Sequence, residues 1–124
     1  MITWIAVAVG GALGSLARYG VTTLAERHLV SRFPWGTFVV NVLGCVVAGV
    51  LAGLVVSGRL SMRDGWREFA FVGLLGGFTT FSAFSLETIT LMRSGEGLLA
   101  VVNVAAQVAL GLVGLYAGLR IAMT

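Results

Sequence analysis

No charged residue falls between Phe33 and Gly58, and an uncharged apolar run of that length admits few folds. It is long enough to cross the hydrocarbon core of a bilayer, which takes roughly 20 residues as a helix. Charges are sparse throughout, at 10% of the 124 residues against 58% hydrophobic, and mean hydropathy is +1.01. Soluble domains carry about a quarter charged residues. A soluble globular domain is therefore excluded, and the class indicated is an all-α, multi-pass membrane protein. Four spans fit, at about residues 2–24, 34–57, 69–92 and 98–119, which makes chain 1–124 a single four-helix transmembrane domain. So small a core favours homo-oligomers.

The polar residues inside these spans carry the information. The first span holds Trp4, the glycines Gly10, Gly11 and Gly14, and Arg18 towards its end. It has neither a basic leader nor a small-residue cleavage site, so it reads as a span and not as a cleaved signal. Arg18 reads as lying near the membrane boundary and facing inward, towards a water-filled vestibule. The connection Glu26–Pro34 follows, with His28 a surface residue, and Pro34 before Trp35 marks entry into a helix at the interface. In the second span Gly44, Ala48 and Ala52 form one small-residue stripe and Gly49 and Gly53 another, as close helix packing requires. Thr37, Asn41 and Cys45 share a face at four-residue spacing. Asn41 is costly in lipid unless partnered; it either bonds another helix or offers its NH2 donors to a dehydrated anion. The lone Cys45 has no partner and reads as a packing residue.

The loop Arg59–Glu68 is charged, with Trp66 as an aromatic anchor, and the third span then carries Gly73-Leu-Leu-Gly-Gly-Phe-Thr-Thr-Phe-Ser-Ala-Phe-Ser85. Glycines followed by hydroxyl residues let a helix open and free backbone groups, which membranes tolerate only in a protein interior or along a cavity. The stretch reads as a broken helix at a pathway; a glycine-rich packing helix with hydroxyl cross-bonds is the alternative. Glu87 then falls in the second half-helix, either as a vestibule carboxylate or as a partner of an arginine such as Arg18. After the turn Arg93–Gly97, the fourth span carries Asn103 and Gln107 on one face, lining a pore or an interface, and the packing pair Gly114 and Gly118.

All the basic charge is arginine, and it divides almost evenly. Arg59, Arg63, Arg67 and Arg120 lie on one side, with Arg27, Arg32, Arg93 and by depth Arg18 on the other. With so little bias to fix orientation, the chain can insert both ways and pair as an antiparallel, dual-topology homodimer.

Other classes lack support. There is no basic tract interleaved with aromatics for nucleic acid, and no nucleotide loop, metal-ligand cluster or nucleophile–base pair for an enzyme. A small multidrug-type proton antiporter needs a carboxylate deep in a span, whereas only Glu87 lies in one, late in the third. A purely structural subunit accounts for the glycine stripes but not for Asn41 or the Thr-Thr-Phe-Ser run.

Three segments carry a resemblance: Gly-Gly-Ala-Leu-Gly-Ser-Leu-Ala-Arg (10–18), Trp-Gly-Thr-Phe-Val-Val-Asn-Val-Leu-Gly (35–44) and Gly-Gly-Phe-Thr-Thr-Phe-Ser-Ala-Phe-Ser (76–85). Together they resemble the Fluc/CrcB fluoride channel family over the whole chain. The resemblance implies an antiparallel dual-topology dimer in the inner or plasma membrane, with two fluoride pores, a central structural sodium ion, and passive export of cytoplasmic fluoride that confers resistance. It implies Phe81 and Phe84 as the paired pore phenylalanines, Asn41 as the pore asparagine, and Thr37, Thr80, Ser82 and Ser85 as the hydroxyl track. Gly76 and Thr79 match the positions whose backbone carbonyls hold the sodium, and Arg18 matches the first-span arginine. The fourth span departs from relatives that carry tyrosine and serine where this chain has Asn103 and Gln107. Neutral amide and hydroxyl donors suit a small, strongly hydrated anion, since conduction needs binding that is favourable yet weak. The positive edge of a benzene ring suits it as well.

Overall fold

The computed structural model describes residues 1–124. The chain is entirely helical: α1 (Ile2–His28), α2 (Trp35–Val56), a π-helical segment (Glu68–Leu75) running into α3 (Gly76–Phe78), α4 (Phe81–Arg93) and α5 (Gly97–Met123). Four units are long and apolar enough to cross a membrane, namely α1, α2, the joined segment Glu68–Arg93, and α5. The protein is multi-pass.

Two helices outrun the spans read from sequence. α1 continues through Glu26, Arg27 and His28, residues expected in the connection, and α5 continues through Arg120 to Met123. Cationic residues in a last helical turn face the negative end of the helix dipole, which favours continuation over fraying. His28 is exposed, as expected of a surface residue.

Contacts between the connections show the up-and-down order of the spans. At one end Arg32 pairs with Glu96, joining the α1–α2 turn to the α4–α5 turn. At the other, Arg59 Nη1 lies 3.4 Å from the Ala122 carbonyl, joining the loop after α2 to the chain's end. Phe33, Trp35 and Phe38 stack at the first of these ends, with ring centroids 4.8–5.6 Å apart, where aromatic residues settle at a bilayer surface.

Glycines set how closely the helices approach. A Cβ added at Gly49 would lie 2.1 Å from the Leu115 carbonyl oxygen, and one at Gly118 would lie 2.6 Å from that of Val46. α2 and α5 therefore touch backbone to backbone, the use expected for their small-residue stripes. α1 meets the third span in the same way, with Gly14 against the Leu74 carbonyl.

The third span is the irregular one. Its π-helical turn leads into the three residues of α3, and then Thr79 (φ −82°, ψ 158°) and Thr80 (φ −152°, ψ 120°) are extended. The Thr79 N–H still bonds the Leu75 carbonyl at 2.9 Å. The Thr80 N–H, which an unbroken helix would direct to Gly76, instead donates to Asn41 Oδ1 at 2.8 Å. α4 starts again with the Thr80 hydroxyl accepting from the Ala83 N–H at 3.2 Å, a threonine N-cap.

Candidate functional site

The extended pair Thr79–Thr80 opens onto a cavity of about 270 Å³ whose walls include Asn41, Thr79, Thr80, Phe81, Phe84 and Gln107. Every residue lining it is uncharged. Four elements build it: α2 supplies Asn41, the extended link supplies the threonines, α4 the two rings, and α5 Gln107. Gly44 makes the approach possible, because a Cβ there would lie 2.2 Å from Thr79 Cγ2.

Asn41 and the Thr80 backbone are joined in both directions. Asn41 Nδ2 donates to the Thr80 carbonyl at 2.9 Å while Oδ1 accepts the Thr80 N–H at 2.8 Å. The second hydrogen on Nδ2 goes to Gln107 Oε1 at 2.7 Å. Both donors of Asn41 are therefore held by protein acceptors, and of the two roles left open for it the interhelical bond is the one seen. This bidentate grip gives the extended Thr80 the partners that a helix would have supplied, which apolar surroundings demand.

Phe81 and Phe84 stand one turn apart, with centroids 5.4 Å apart and planes tilted by 44°. Phe81 is 78% exposed on the single chain, so its ring projects away from the protomer. Thr80 and Ser82 hydroxyls lie 3.3 Å apart and share one contact, which leaves a hydroxyl hydrogen uncommitted. Ser82 is exposed, and Ser85 is half-buried with its hydroxyl donating to the Phe81 carbonyl at 2.9 Å.

Thr37, Glu87, Arg18 and Gly76 lie outside the cavity lining. Thr37 is buried and donates to Glu87 Oε1 at 2.7 Å, while Glu87 Oε2 is buried without a partner. Glu87 thus bonds a threonine and makes no ion pair with Arg18, since the single salt bridge in the chain is Arg32–Glu96. It borders a second cavity, of about 280 Å³, together with Glu26, Ser31 and Trp35. Arg18 is half-buried in α1, and its carbonyl accepts from the Thr22 hydroxyl at 2.9 Å. Gly76 is exposed, and a Cβ there would meet nothing nearer than the Phe71 carbonyl at 3.8 Å. Cys45 lines the first cavity and is unpaired.

Sequence reasoning left Asn103 and Gln107 between a pore and an interface. The structure buries both inside the protomer, at 0% and 8% exposure. Gln107 Nε2 donates to Asn103 Oδ1 at 2.9 Å, and Asn103 Nδ2 donates to Thr88 Oγ1 at 3.0 Å. Their four-residue spacing gave the shared face, but nothing in the spacing identified Asn41 and Thr88 as partners.

The profile of the CrcB-like protein family (Camphor Resistance, CrcB) matches residues 5–119. A fluoride-specific ion channel FluC of Rhodospirillum rubrum is 45% identical over 118 residues, covering 94% of this chain and 92% of the relative. A FluC of Rhizobium etli is 47% identical over 121 residues, covering 98% and 96%. A FluC 2 of Nitrobacter hamburgensis is 44% identical over 120 residues, covering 97% and 96%.

Proposed function

Because the chain belongs to the CrcB-like family, we propose that it is a fluoride-selective ion channel, a transporter and not an enzyme, that lets cytoplasmic fluoride leave passively across the plasma or inner membrane. The observation that carries this reading is the uncharged cavity at Thr79–Thr80. There the two phenylalanine rings, an uncommitted Thr80/Ser82 hydroxyl hydrogen and two carboxamides converge on an opened helix. Fluoride holds its water strongly, so a selective path must replace water with donors at short range while binding weakly enough to release. Neutral donors and ring edges meet that need, where a buried arginine would trap the ion. Ser82 continues the hydroxyl series along the path, Thr37 and Ser85 join it by exchanging the bonds their hydroxyls make to Glu87 and to the Phe81 carbonyl, and Arg18 draws anions into the vestibule. Asn41 acts from the cavity wall and through its grip on Thr80.

The functional unit we infer is an antiparallel, dual-topology homodimer with two pores. The near-even split of arginines supports it. So does Phe81, a large ring left 78% exposed at membrane depth beside the cavity, where a second copy would complete the wall. A structural sodium ion at the dimer axis, held by the carbonyls of Gly76 and Thr79, belongs to the same proposal. The residues fit such an ion: Asn41 takes the Thr80 N–H that would otherwise occupy the Gly76 carbonyl, the space beside Gly76 is open, and carbonyl oxygens suit a hard cation. When bound, the ion would supply a fixed positive charge near the pathways.

The test is fluoride efflux from liposomes holding the purified protein, with chloride efflux as control, for wild type, Phe81→Ile and Asn41→Asp. Fast fluoride-selective efflux that falls in both variants is the expected result. Wild-type protein that passes no fluoride, or passes chloride as well, overturns the function. Fast wild-type efflux unchanged in both variants overturns the assignment of the cavity.

A further inference from the structure

Asn103 and Gln107 are buried amides, of which only Gln107 reaches the cavity wall. Buried amides destabilise a bundle unless they are bonded, so the path of their hydrogen bonds is informative. Asn41 Nδ2 donates to Gln107 Oε1 (2.7 Å), Gln107 Nε2 to Asn103 Oδ1 (2.9 Å), Asn103 Nδ2 to Thr88 Oγ1 (3.0 Å), and the Thr88 hydroxyl to the Phe84 carbonyl (2.7 Å). Every link donates in the same sense. The direction is set at the start, because the Thr80 carbonyl and N–H oblige Asn41 to present Nδ2 and Oδ1 as it does. The chain leaves α2, crosses α5 and returns to α4. It begins on the residue that grips Thr80, the N-cap of α4, and ends on the carbonyl of Phe84, four residues further on. Both of its ends thus act on the one helical turn that carries Phe81 and Phe84.

We propose that Gln107, Asn103 and Thr88 are positioning residues for the ion pathway. Through the one-way hydrogen-bonded chain from Asn41 to the Phe84 carbonyl, they fix the rotation of the first turn of α4, and with it the placement of the two rings against the cavity. This rests on the fluoride-channel reading for its consequence, anion selectivity, and on the geometry alone for the positioning. Chains of buried hydrogen bonds polarise and rigidify one another and act as a unit, so interruption anywhere loosens the whole. Thr88 is the informative link, because it lies outside the cavity lining and can be altered without changing the wall.

The test uses the full-length protein with two readouts, applied to Gln107→Met, Thr88→Val and Thr88→Ser. Gln107→Met and Thr88→Val are close in volume and break the chain at its middle and near its end; Thr88→Ser keeps the hydroxyl. Hydrogen–deuterium exchange of the segment 79–86 is expected to rise about fivefold in both chain-breaking variants, the factor that one net hydrogen bond is worth. It should return to the wild-type rate in Thr88→Ser. In liposomes the ratio of fluoride to chloride efflux is expected to fall by a similar factor in Gln107→Met and Thr88→Val, to recover in Thr88→Ser, and to fall no further in the double variant. Unchanged exchange in both chain-breaking variants overturns the positioning role. Raised exchange with an unaltered fluoride-to-chloride ratio overturns its link to selectivity. Wild-type protein that passes no fluoride removes the channel reading, while the exchange experiment still decides the positioning.

Discussion

Asn41 and Thr80 hold one another as two paired peptide groups would: Asn41 Nδ2 donates to the Thr80 carbonyl at 2.9 Å and its Oδ1 accepts the Thr80 N–H at 2.8 Å. A side chain on one helix thereby replaces the helical bonds that an extended residue on another has given up. Asn41→Asp retains the acceptor but turns an oxygen towards the Thr80 carbonyl and Gln107 Oε1, opposing acceptor to acceptor. An unsatisfied buried polar group costs about 1–3 kcal/mol, and more when charged. Asn41→Asp is expected to lower the thermal unfolding midpoint clearly and to cut fluoride efflux at least about tenfold. Unfolding followed by fluorescence or circular dichroism in detergent, beside liposome efflux, checks both. Wild-type values for the variant would mean that the grip is dispensable.

Backbone contact between helices makes a separate prediction. At Gly49 a methyl group would fall 2.1 Å from the Leu115 carbonyl oxygen, and the clash is with main chain that cannot rotate aside. Gly49→Ala forces α2 and α5 apart along the seam that also aligns Asn41 with Gln107. A loss of about 1–3 kcal/mol is expected, in the range for overpacking, with fluoride efflux falling in parallel. Gly97→Ala, at the start of α5 with nothing within 4 Å, is the control and should unfold as wild type does. Equal midpoints for the two variants would contradict the packing described.

These contacts also mark how far the sequence could be read. The uncharged run 33–58 was enough to place α2, because length and apolarity alone decide whether a segment can span. Gly49, Gly53, Gly114 and Gly118 were legible as packing positions, since four-residue spacing fixes a face. The extended residues Thr79 and Thr80 fall inside the glycine and hydroxyl run that drew attention to the third span. What spacing could not supply was the partner. Asn41 meets Thr80 and Gln107 across 39 and 66 residues of chain, and only the packing of three helices decides such a contact. The π-helical turn Glu68–Leu75 was likewise invisible, because a widened turn changes the hydrogen-bond register and leaves the pattern of apolar residues intact. The last turn of α1 was missed because charged residues read as a loop, although at a helix C-terminus Arg27 and His28 favour continuation.

Thr37 and Glu87 form a pair whose two halves are unequal. Glu87 Oε1 accepts the Thr37 hydroxyl at 2.7 Å, and Oε2 is buried without a partner. Thr37→Val removes the one bond and strands the carboxyl group, for an expected loss of about 1–3 kcal/mol. Replacing both partners with apolar groups of similar shape is far less damaging than removing one. The double variant Thr37→Val/Glu87→Met should therefore unfold at a higher temperature than Thr37→Val alone. Additive losses in this double-mutant cycle would show that the two side chains are not coupled.

Orientation in the membrane gives the last prediction. Arginines on the two ends of the bundle nearly balance, with Arg59, Arg63, Arg67 and Arg120 against Arg27, Arg32 and Arg93 and the more deeply placed Arg18. Orientation follows the excess of basic residues in short loops, so this chain has almost nothing to choose by. In a Cys45→Ala background, a cysteine placed at the exposed loop position Ser61 should react with an impermeant thiol reagent in about half of the molecules in intact cells, since neither side is preferred. Adding two arginines to the loop 57–67 should drive that loop to the cytoplasmic side and take labelling towards zero. The same change should depress fluoride efflux, because an antiparallel dimer needs both orientations, and co-expression with a copy carrying the opposite bias should restore it. Complete labelling, or none, in the unaltered loop would rule out dual topology and leave a parallel assembly.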